Sequence, residues 1–398
     1  MKRINLRKAN VARADTIRTI NRQIVLNYVR ERAPISRAEI AQETALQRST
    51  ISLIIDELKT EGMIEEIEGE STGGRPPILM RLRTAGAVAV GVDLGTERTI
   101  IATSDLAGRV LAQEEFATDP DARRTLAQVV NCIKKLVRQS EGDMEGIGVS
   151  LPGLVDFESG TALFIPYFNW RDWAVGSEIE AATGLPVTVD NDANAAALAE
   201  LWFGRPEVRD VRDFIMVLVE EGIGTGIIID GQVYRGEGGG AGEFGHMTIG
   251  EGAPIACKSG SRSCWEAFAS EYAALAYYDQ LVGGARTPSH PSFEQLIDRA
   301  FDGEAAAHGA LLKTAYYLGV GIANLIKGLS PEAVVVGGSI SRAWPLISRE
   351  LLKSVAEHTT CHDLPSPNIC VSSLGEKPQL MGALSFVLAQ KFSSVSMT

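Results

Sequence analysis

The residues best equipped for chemistry lie between Glu243 and Glu266. Glu243-Phe-Gly-His246 is followed by Cys257, Cys264 and Glu266, and preceded by the glycine-rich run Gly236-Glu-Gly-Gly-Gly-Ala-Gly242. Imidazole nitrogen and thiolate sulfur are ligands that Zn²⁺ accepts, so His246, Cys257 and Cys264 form a candidate metal set, one ligand short of an ordinary structural zinc site. Glu243 and Glu266 add carboxylate acceptors. Together with the imidazole they supply both donors and acceptors, which a polyhydroxylated ligand requires. The plain alternatives are two exposed carboxylates and a metal-free loop with two reduced thiols.

These residues need a scaffold, and the flanking pattern is α/β. Ala87–Asp93 is an apolar run ending in the turn Asp93-Leu-Gly95-Thr96, and Arg98–Ser104 and Val110–Phe116 complete a meander. Thr125–Arg138 is amphipathic at helical spacing, and Met144–Ser150 runs into Leu151-Pro152-Gly153-Leu-Val-Asp156. Gly184–Asp190 is a strand, after which Asn191-Asp192-Ala-Asn194 opens an alanine-rich helix. Asp192 can serve there as a simple N-cap or present its carboxylate to a cleft. A second unit repeats the theme: Phe214–Val219, the turn Glu220-Glu-Gly222-Ile-Gly224-Thr-Gly226, Ile227–Asp230, and later Ala333–Ser339 with its double glycine. Turns at strand ends are where open α/β sheets contact ligands. No Walker A loop occurs, and the G-x-G-x-x-G string at Gly240–Gly245 is not set between a strand and a helix, so it is no dinucleotide-binding fingerprint.

The first 84 residues read differently. Ile17–Arg32 has apolar residues at Ile17, Ile20, Ile24 and Tyr28, and Pro34 ends the helix. Ser36-Arg-Ala-Glu39 is a capping box flanked by Ile35 and Ile40 as a hydrophobic staple. After a turn at 44–46, Gln47–Leu58 is a helix with Ile51, Ile54, Ile55 and Leu58 on one side. Its opening turn shows Gln47, Arg48, Ser49, Thr50 and Ser52, short polar donors suited to the floor of a DNA major groove. Gly62 stops it. Met63–Ile67 and Ile78–Leu82 are a hairpin whose tip, Gly69–Pro77, offers Arg75 to a minor groove. A small protein-binding bundle is the alternative for the three helices alone.

Charge divides the chain in the same way. Residues 1–84 hold 15 Lys/Arg and 11 Asp/Glu, the rest 23 and 39, within a net charge of −12. A basic head on an acidic body directs the head toward a polyanion. At 398 residues two or three domains are expected. No apolar run reaches the roughly 18 residues that span a bilayer, and Met1–Lys8 lacks the apolar core of a signal peptide. Five cysteines without a disulfide framework fit a reducing compartment. The expected location is cytoplasmic, without a membrane partner.

Leu151-Pro-Gly-Leu-Val, Asp190-Asn-Asp-Ala-Asn-Ala, Glu243-Phe-Gly-His246 and the stretch from Cys257 to Glu266 together resemble the ROK family (repressors, open reading frames, sugar kinases). The head resembles its branch of transcriptional regulators. The resemblance covers nearly the whole chain. It implies an N-terminal winged helix-turn-helix over residues 1–84 and a two-lobed α/β actin/hexokinase-like ATPase fold over 85–398. Lobe one spans about 85–190 plus a C-terminal helix at about 379–398; lobe two spans about 191–378. The family's sugar contacts fall on Gly153, Asn191, Asp192, Glu243, His246 and Glu266. Asp192 matches the general base of its kinases.

Two departures matter. The family's zinc pattern has a cysteine where this chain has Ser259, leaving His246, Cys257 and Cys264 and a weakened zinc completed by water. The first phosphate loop, Asp-x-Gly-Gly-Thr-Lys in the kinases, is here Asp93-Leu-Gly95-Thr96-Glu97-Arg98, and Glu220-Glu221 opens the second. Two carboxylates beside a triphosphate repel it unless they point away, and phosphoryl transfer depends on positioning and charge neutralisation. ATP is therefore not expected as a cofactor. The resulting expectation is a sugar-responsive DNA-binding regulator, a repressor acting on a double-stranded operator as a homodimer or homotetramer, with Asp192 vestigial. The alternative is an ATP-dependent sugar kinase carrying a DNA-binding head.

Overall fold

The computed structural model describes residues 14–70, 76–83, 86–258, 260–283, 291–359 and 366–392. Arg75 and Ser259 lie outside them.

The head consists of α1 (Ala14–Arg32), the two-residue strand β1 (Ile35–Ser36), α2 (Arg37–Thr44), α3 (Arg48–Thr60), β2 (Ile64–Glu68) and β3 (Ile78–Leu82). Both arms of the capping box form: Glu39 N donates to Ser36 Oγ (3.2 Å) and Ser36 N to Glu39 Oε2 (2.8 Å). Ala45 turns the chain left-handed between α2 and α3, at φ 56°. Ile35 does more than staple a helix, since β1 pairs antiparallel with β3 and adds a third strand beside β2.

The apolar face expected of α1 is corrected. Val25, Leu26 and Val29 are the residues buried at 0% exposure, whereas Ile17 and Ile24 are 50% and 36% exposed. The helix carries two stripes because it has two neighbours. One stripe meets Ile40, Ile51, Ile55 and Leu58 of the head. The head cluster continues without a break into Ala89, Leu106, Leu384, Val387 and Phe392 of the body.

The body begins with β4 (Gly86–Leu94), β5 (Arg98–Ser104), β6 (Val110–Ala117), α4 (Ala122–Gln139) and β7 (Gly142–Leu151). Next come β8 (Leu154–Asp156), β9 (Thr161–Ile165), β10 (Trp170–Trp173), α5 (Val175–Thr183), β11 (Val187–Asn191), α6 (Asp192–Phe203) and α7 (Pro206–Arg209). The first five-stranded sheet has the order β11-β7-β4-β5-β6, with β7 parallel to both β4 and β11. The small sheet β10-β9-β8 had no counterpart in the sequence reading, because its strands are short and interrupted by Gly153, Gly160 and Pro166.

The chain continues with β12 (Phe214–Val219), β13 (Ile223–Ile229), β14 (Gln232–Val233), α8 (Trp265–Ala269), α9 (Glu271–Leu281), α10 (Phe293–Phe301) and α11 (Ala305–Leu329). It closes with β15 (Ala333–Gly337), α12 (Trp344–His358), β16 (Asn368–Val371) and α13 (Pro378–Phe392). The second five-stranded sheet has the order β14-β13-β12-β15-β16. By length and mean hydropathy α11 could cross a membrane, although Lys313 and Lys327 keep its uninterrupted apolar run short. It is instead the centre of the largest core cluster, with Leu311, Leu318 and Ile322 buried against Tyr277, Leu296 and Leu351.

α6 and α13 join the two sheets. Gly148 of β7 and Gly382 of α13 permit contacts that any larger residue would block: an added Cβ would lie 1.8 Å from Ala383 O and 2.0 Å from Ala195 O, respectively. The chain end of α13 thus lies directly on β7 and α6.

Candidate functional site

The site forms at the C-terminal end of β11. Asn191, rather than Asp192, is the N-cap of α6: its Oδ1 accepts from Ala193 N (2.9 Å) and Asn194 N (3.3 Å), and its Nδ2 donates to Gly153 O (2.9 Å). Asp192, in the first turn, accepts only from Ala193 N among the bonds it makes here (2.7 Å). Capping being done by its neighbour, the Asp192 carboxylate keeps lone pairs for a ligand. Burial pushes Asp192 up to about 7; the nearby Asp93, Glu221 and Glu243 reinforce the shift and the Ala193 amide opposes it.

Gly153 sits at φ 94°, and a Cβ there would lie 2.3 Å from Phe164 O. Its glycine is therefore demanded by β9 as well as by any ligand.

The loop after β13 brings the other predicted residues to α6. Thr225 Oγ1 donates to Gly242 O (2.5 Å), holding the glycine run against β13. Glu243–His246 forms one 3-10 turn. The backbone of 247–249 then pairs with 263–265 through Trp265 N to Met247 O (2.9 Å) and Ile249 N to Ser263 O (3.0 Å). That pairing sets His246 beside Cys264, and the turn closed by Cys257 N to Ser261 O (2.8 Å) returns Cys257 to the same place.

His246 is flanked by both carboxylates, with Nε2 3.7 Å from Glu243 Oε2 and Nδ1 3.5 Å from Glu266 Oε1. Burial raises Glu266, against the opposing pull of His246 and of hydrogen bonds from Ile223, Cys257 and Lys258. Glu266 also lies beside the β12–β13 turn, where a Cβ on Gly222 would be 2.9 Å from its Oε2. Gly224, at the start of β13, faces Ala193 and Asp192 Oδ1. The structure thus gathers Asn191, Asp192, Glu243, His246 and Glu266 around one turn.

The ligand atoms of His246, Cys257 and Cys264 lie within 4.8 Å of one another, and the two Sγ atoms are 3.3 Å apart without a disulfide. Cys257 and Cys264 are buried while His246 is exposed. Two soft sulfurs and an imidazole converging this closely fit a zinc ion as three of its ligands.

The phosphate-loop residues are also brought together. Glu221 Oε1 accepts from Thr96 Oγ1 (2.6 Å), which links the β12–β13 turn to the β4–β5 turn. Glu220 Oε1 accepts from Gln379 Nε2 at the start of α13 (2.9 Å), and the Glu271 carboxylate accepts from Ser339 Oγ. The expectation that the Glu220–Glu221 pair would repel a phosphate unless turned away is refined: both carboxylates are internal acceptors, Glu221 tying the turns of the two sheets together and Glu220 tying its turn to α13. Burial pushes Glu271 up to about 7, opposed by the Ser339 bond and reinforced by Glu221. Glu220 is held well above the carboxylate range by burial, then by Glu221 and Glu271. Burial likewise raises Asp93 to about 7, opposed mainly by Lys377.

One functional contact went unnoticed in the sequence. Arg235 donates to Asp190 Oδ2 (Nε 2.8 Å, Nη2 2.7 Å) and lies over the Phe157 ring at 3.8 Å. It pins the start of the glycine run to the end of β11. Its signal was a single arginine directly before Gly236, across 45 residues from its acid.

In the head, Gln47, Arg48 and Ser49 are exposed, while Thr50 and Ser52 are partly covered. Arg18 and Arg22, two of the head's basic residues, are engaged by Glu57 of α3 and by Glu61, which caps its end. Arg37 and Lys59 are shared with Asp56 and Glu66. Part of the head's positive charge is therefore neutralised internally.

Two five-stranded sheets bridged by α6 and α13, with a polar site at the bridge, place the body among two-lobed α/β folds of the actin and hexokinase type. The ROK family model matches residues 89–390, and the chain belongs to the ROK family. It is 32% identical over 391 residues to the xylose repressor of Caldicellulosiruptor bescii, covering 95% of this chain and 97% of that one. The crystal structure of a ROK family transcriptional regulator, a homolog of the Escherichia coli MLC protein, superposes with a TM-score of 0.79 at 28% identity, over 95% of this chain and 98% of the other. A ROK glucokinase from Streptomyces griseus, in complex with glucose and AMPPNP, covers 75% of this chain and 98% of its own with a TM-score of 0.69 and 29% identity.

Proposed function

We propose that the protein is a sugar-responsive transcriptional repressor. The observation that carries this is the union of two surfaces in one packed chain. One is the exposed polar opening of α3; the other is the cleft group Asn191, Asp192, Glu243, His246 and Glu266. The head is then a winged helix-turn-helix, residues 1–84, with α3 in the major groove and the β2–β3 hairpin as wing. Gln47, Arg48, Ser49, Thr50 and Ser52 read base edges or phosphates, and Arg75 at the tip enters the minor groove. Paired half-sites call for a homodimer or a homotetramer. The continuous apolar cluster from Ile51 to Phe392 lets a movement of the body reach the head.

In the cleft Asp192 and Glu266 accept from sugar hydroxyls, Asn191 and His246 orient the ring, and Gly153 permits close approach. Zinc, held by His246, Cys257 and Cys264, would stiffen the loop that leads into α8 and its Glu266. The bonds of Glu221 to Thr96 and of Glu220 to Gln379 favour a non-catalytic body, because both carboxylates occupy the turns that face a nucleotide's phosphates in a kinase. Cytoplasmic operation follows from an operator ligand.

The test is a gel-shift assay on the region upstream of the protein's own gene, with xylose, glucose and N-acetylglucosamine as effectors. Retardation at low salt, released by one sugar, is expected. Absence of retardation under every condition would overturn the reading. A second reading, an ATP-dependent sugar kinase with a DNA-binding head, is favoured by the intact Asp192. Sugar-dependent ADP release above background would establish it.

A further inference from the structure

One chain of contacts crosses the cleft from Glu266 to Gly153. The Glu266 carboxylate accepts from the backbone of Lys258. The Lys258 ammonium lies over the Tyr167 ring, 4.7 Å from its centre. Tyr167 follows Pro166 just past the end of β9, and a Cβ on Gly153 would lie 3.2 Å from Pro166 Cδ. Gly153 O in turn accepts from Asn191 Nδ2 at 2.9 Å. The two ends of this bridge belong to different cores. Tyr167 meets Phe168 edge-on at 5.1 Å, and Phe168 stacks on Trp170 in the cluster of the first sheet. Cys257, directly before Lys258, packs with Phe268 of α8 and Tyr317 of α11. Tyr272 of α9 joins the contact: burial raises its hydroxyl, and Tyr167 and Glu221 raise it further. A comparable pair, Arg235 over Phe157, fixes the other end of the segment that carries Glu243 and His246. The two pairs differ in permanence. Arg235 is also bound to the buried Asp190, whereas Lys258 is exposed and Tyr167 is 37% exposed. A cation over an exposed ring contributes only a few-fold to an equilibrium, so the Lys258 contact opens readily while that of Arg235 stays shut.

We propose that Lys258 and Tyr167 are positioning residues of the effector site, a latch that opens to admit the ligand and, once shut, holds Glu266 towards it. This rests on the cleft group being the sugar site. The latch acts through Glu266. With the ammonium seated on Tyr167, the Lys258 backbone is kept where it donates to the Glu266 carboxylate. With the ammonium released, the same loop is free to draw away from Tyr167 and Gly153 and to take that donor with it. A contact made after the ligand has entered slows its release and leaves its entry unchanged, so the latch acts on residence time.

Two measurements on the full-length chain test the latch. In ligand-free protein, Lys258→Met should speed amide hydrogen exchange on both sides of the bridge, around Pro166 as well as around Glu266, and Tyr167→Leu should do the same. Stopped-flow tryptophan fluorescence with xylose, glucose and N-acetylglucosamine then gives the rates. Lys258→Met should speed release of the bound sugar by about two- to fivefold with association unchanged. The double variant should release it no faster than the quicker single one, because either change alone opens the latch. Lys258→Arg, which keeps the cation, should restore the parent's release rate. Circular dichroism melts show whether Tyr167→Leu folds; if it does not, Lys258→Met, at an exposed position, decides. The proposal is overturned if exchange changes only beside the substituted residue, if release is unaltered, if the two substitutions multiply in full, or if Lys258→Arg behaves as Lys258→Met. If none of the three sugars binds the parent, the sugar reading itself fails, and the exchange measurement still decides whether Lys258 and Tyr167 hold the two sides together.

Discussion

The carboxylates around the β12–β13 turn are the residues on which the protein's pH behaviour rests. Asp93, Asp192 and Glu271 are each pushed up to about 7, chiefly by burial. A carboxyl whose folded value lies above its unfolded value takes up a proton on folding. Its contribution is therefore fully present below the unfolded value, near 4, and is lost as pH rises through about 7. The melting temperature should fall between pH 5.5 and pH 8. Glu271→Gln keeps an acceptor for Ser339 and removes one buried charge. It should raise stability at pH 8 by about 1–3 kcal/mol and flatten the slope. An unchanged slope in scanning calorimetry would count against the burial account. At the same scale, Asp192→Asn should abolish stabilisation by the effector sugar in thermal melts while leaving the apo fold intact.

Among the elements, α13 carries the strictest packing demand, because its backbone touches α6 and β7. Gly382→Ala would place a Cβ 2.0 Å from Ala195 O, and overpacking of this kind should cost about 1–3 kcal/mol. Gly328, inside α11 with nothing within 4 Å of its Cβ position, gives the opposite sign: alanine there should stabilise by about 0.5–1 kcal/mol. Chemical denaturation of both variants checks the pair. In the head, Ser36→Ala removes one arm of the capping box of α2 and should cost about 1 kcal/mol. Operator affinity should fall with it, because α2 supports the placement of α3.

For the molecule as a whole, the head and body share one apolar cluster, so ligand in the cleft and DNA on the head are expected to be coupled. Each would weaken the other by the same factor. Measuring operator affinity at saturating sugar and sugar affinity at saturating operator checks that equality. Metal content is the second whole-molecule observable. Chelator-free protein is expected to hold substoichiometric zinc, and Ser259→Cys to bring it toward one per chain by atomic emission. Less than about 0.2 zinc per chain in both proteins would exclude the three-ligand site.

Much of this was legible in the residues. The capping box at Ser36 and Glu39, the apolar strand that carries Asp93 near its end, and the polar opening of α6 follow from local spacing, because caps, turns and period-3.6 or period-2 patterns are set by neighbours in the chain. The burial of Ile51, Ile54, Ile55 and Leu58 was likewise written in one helix. The convergence of His246 with Cys257 and Cys264 was suggested by residue type alone. Tertiary structure decided what depends on distant partners. Asn191 took the cap and left Asp192 for a ligand. Glu221 found Thr96 across 125 positions, and Arg235 found Asp190. Which stripe of α1 became core depended on the body packed behind it. Sequence periodicity states that a face is apolar; only the folded chain states what covers it.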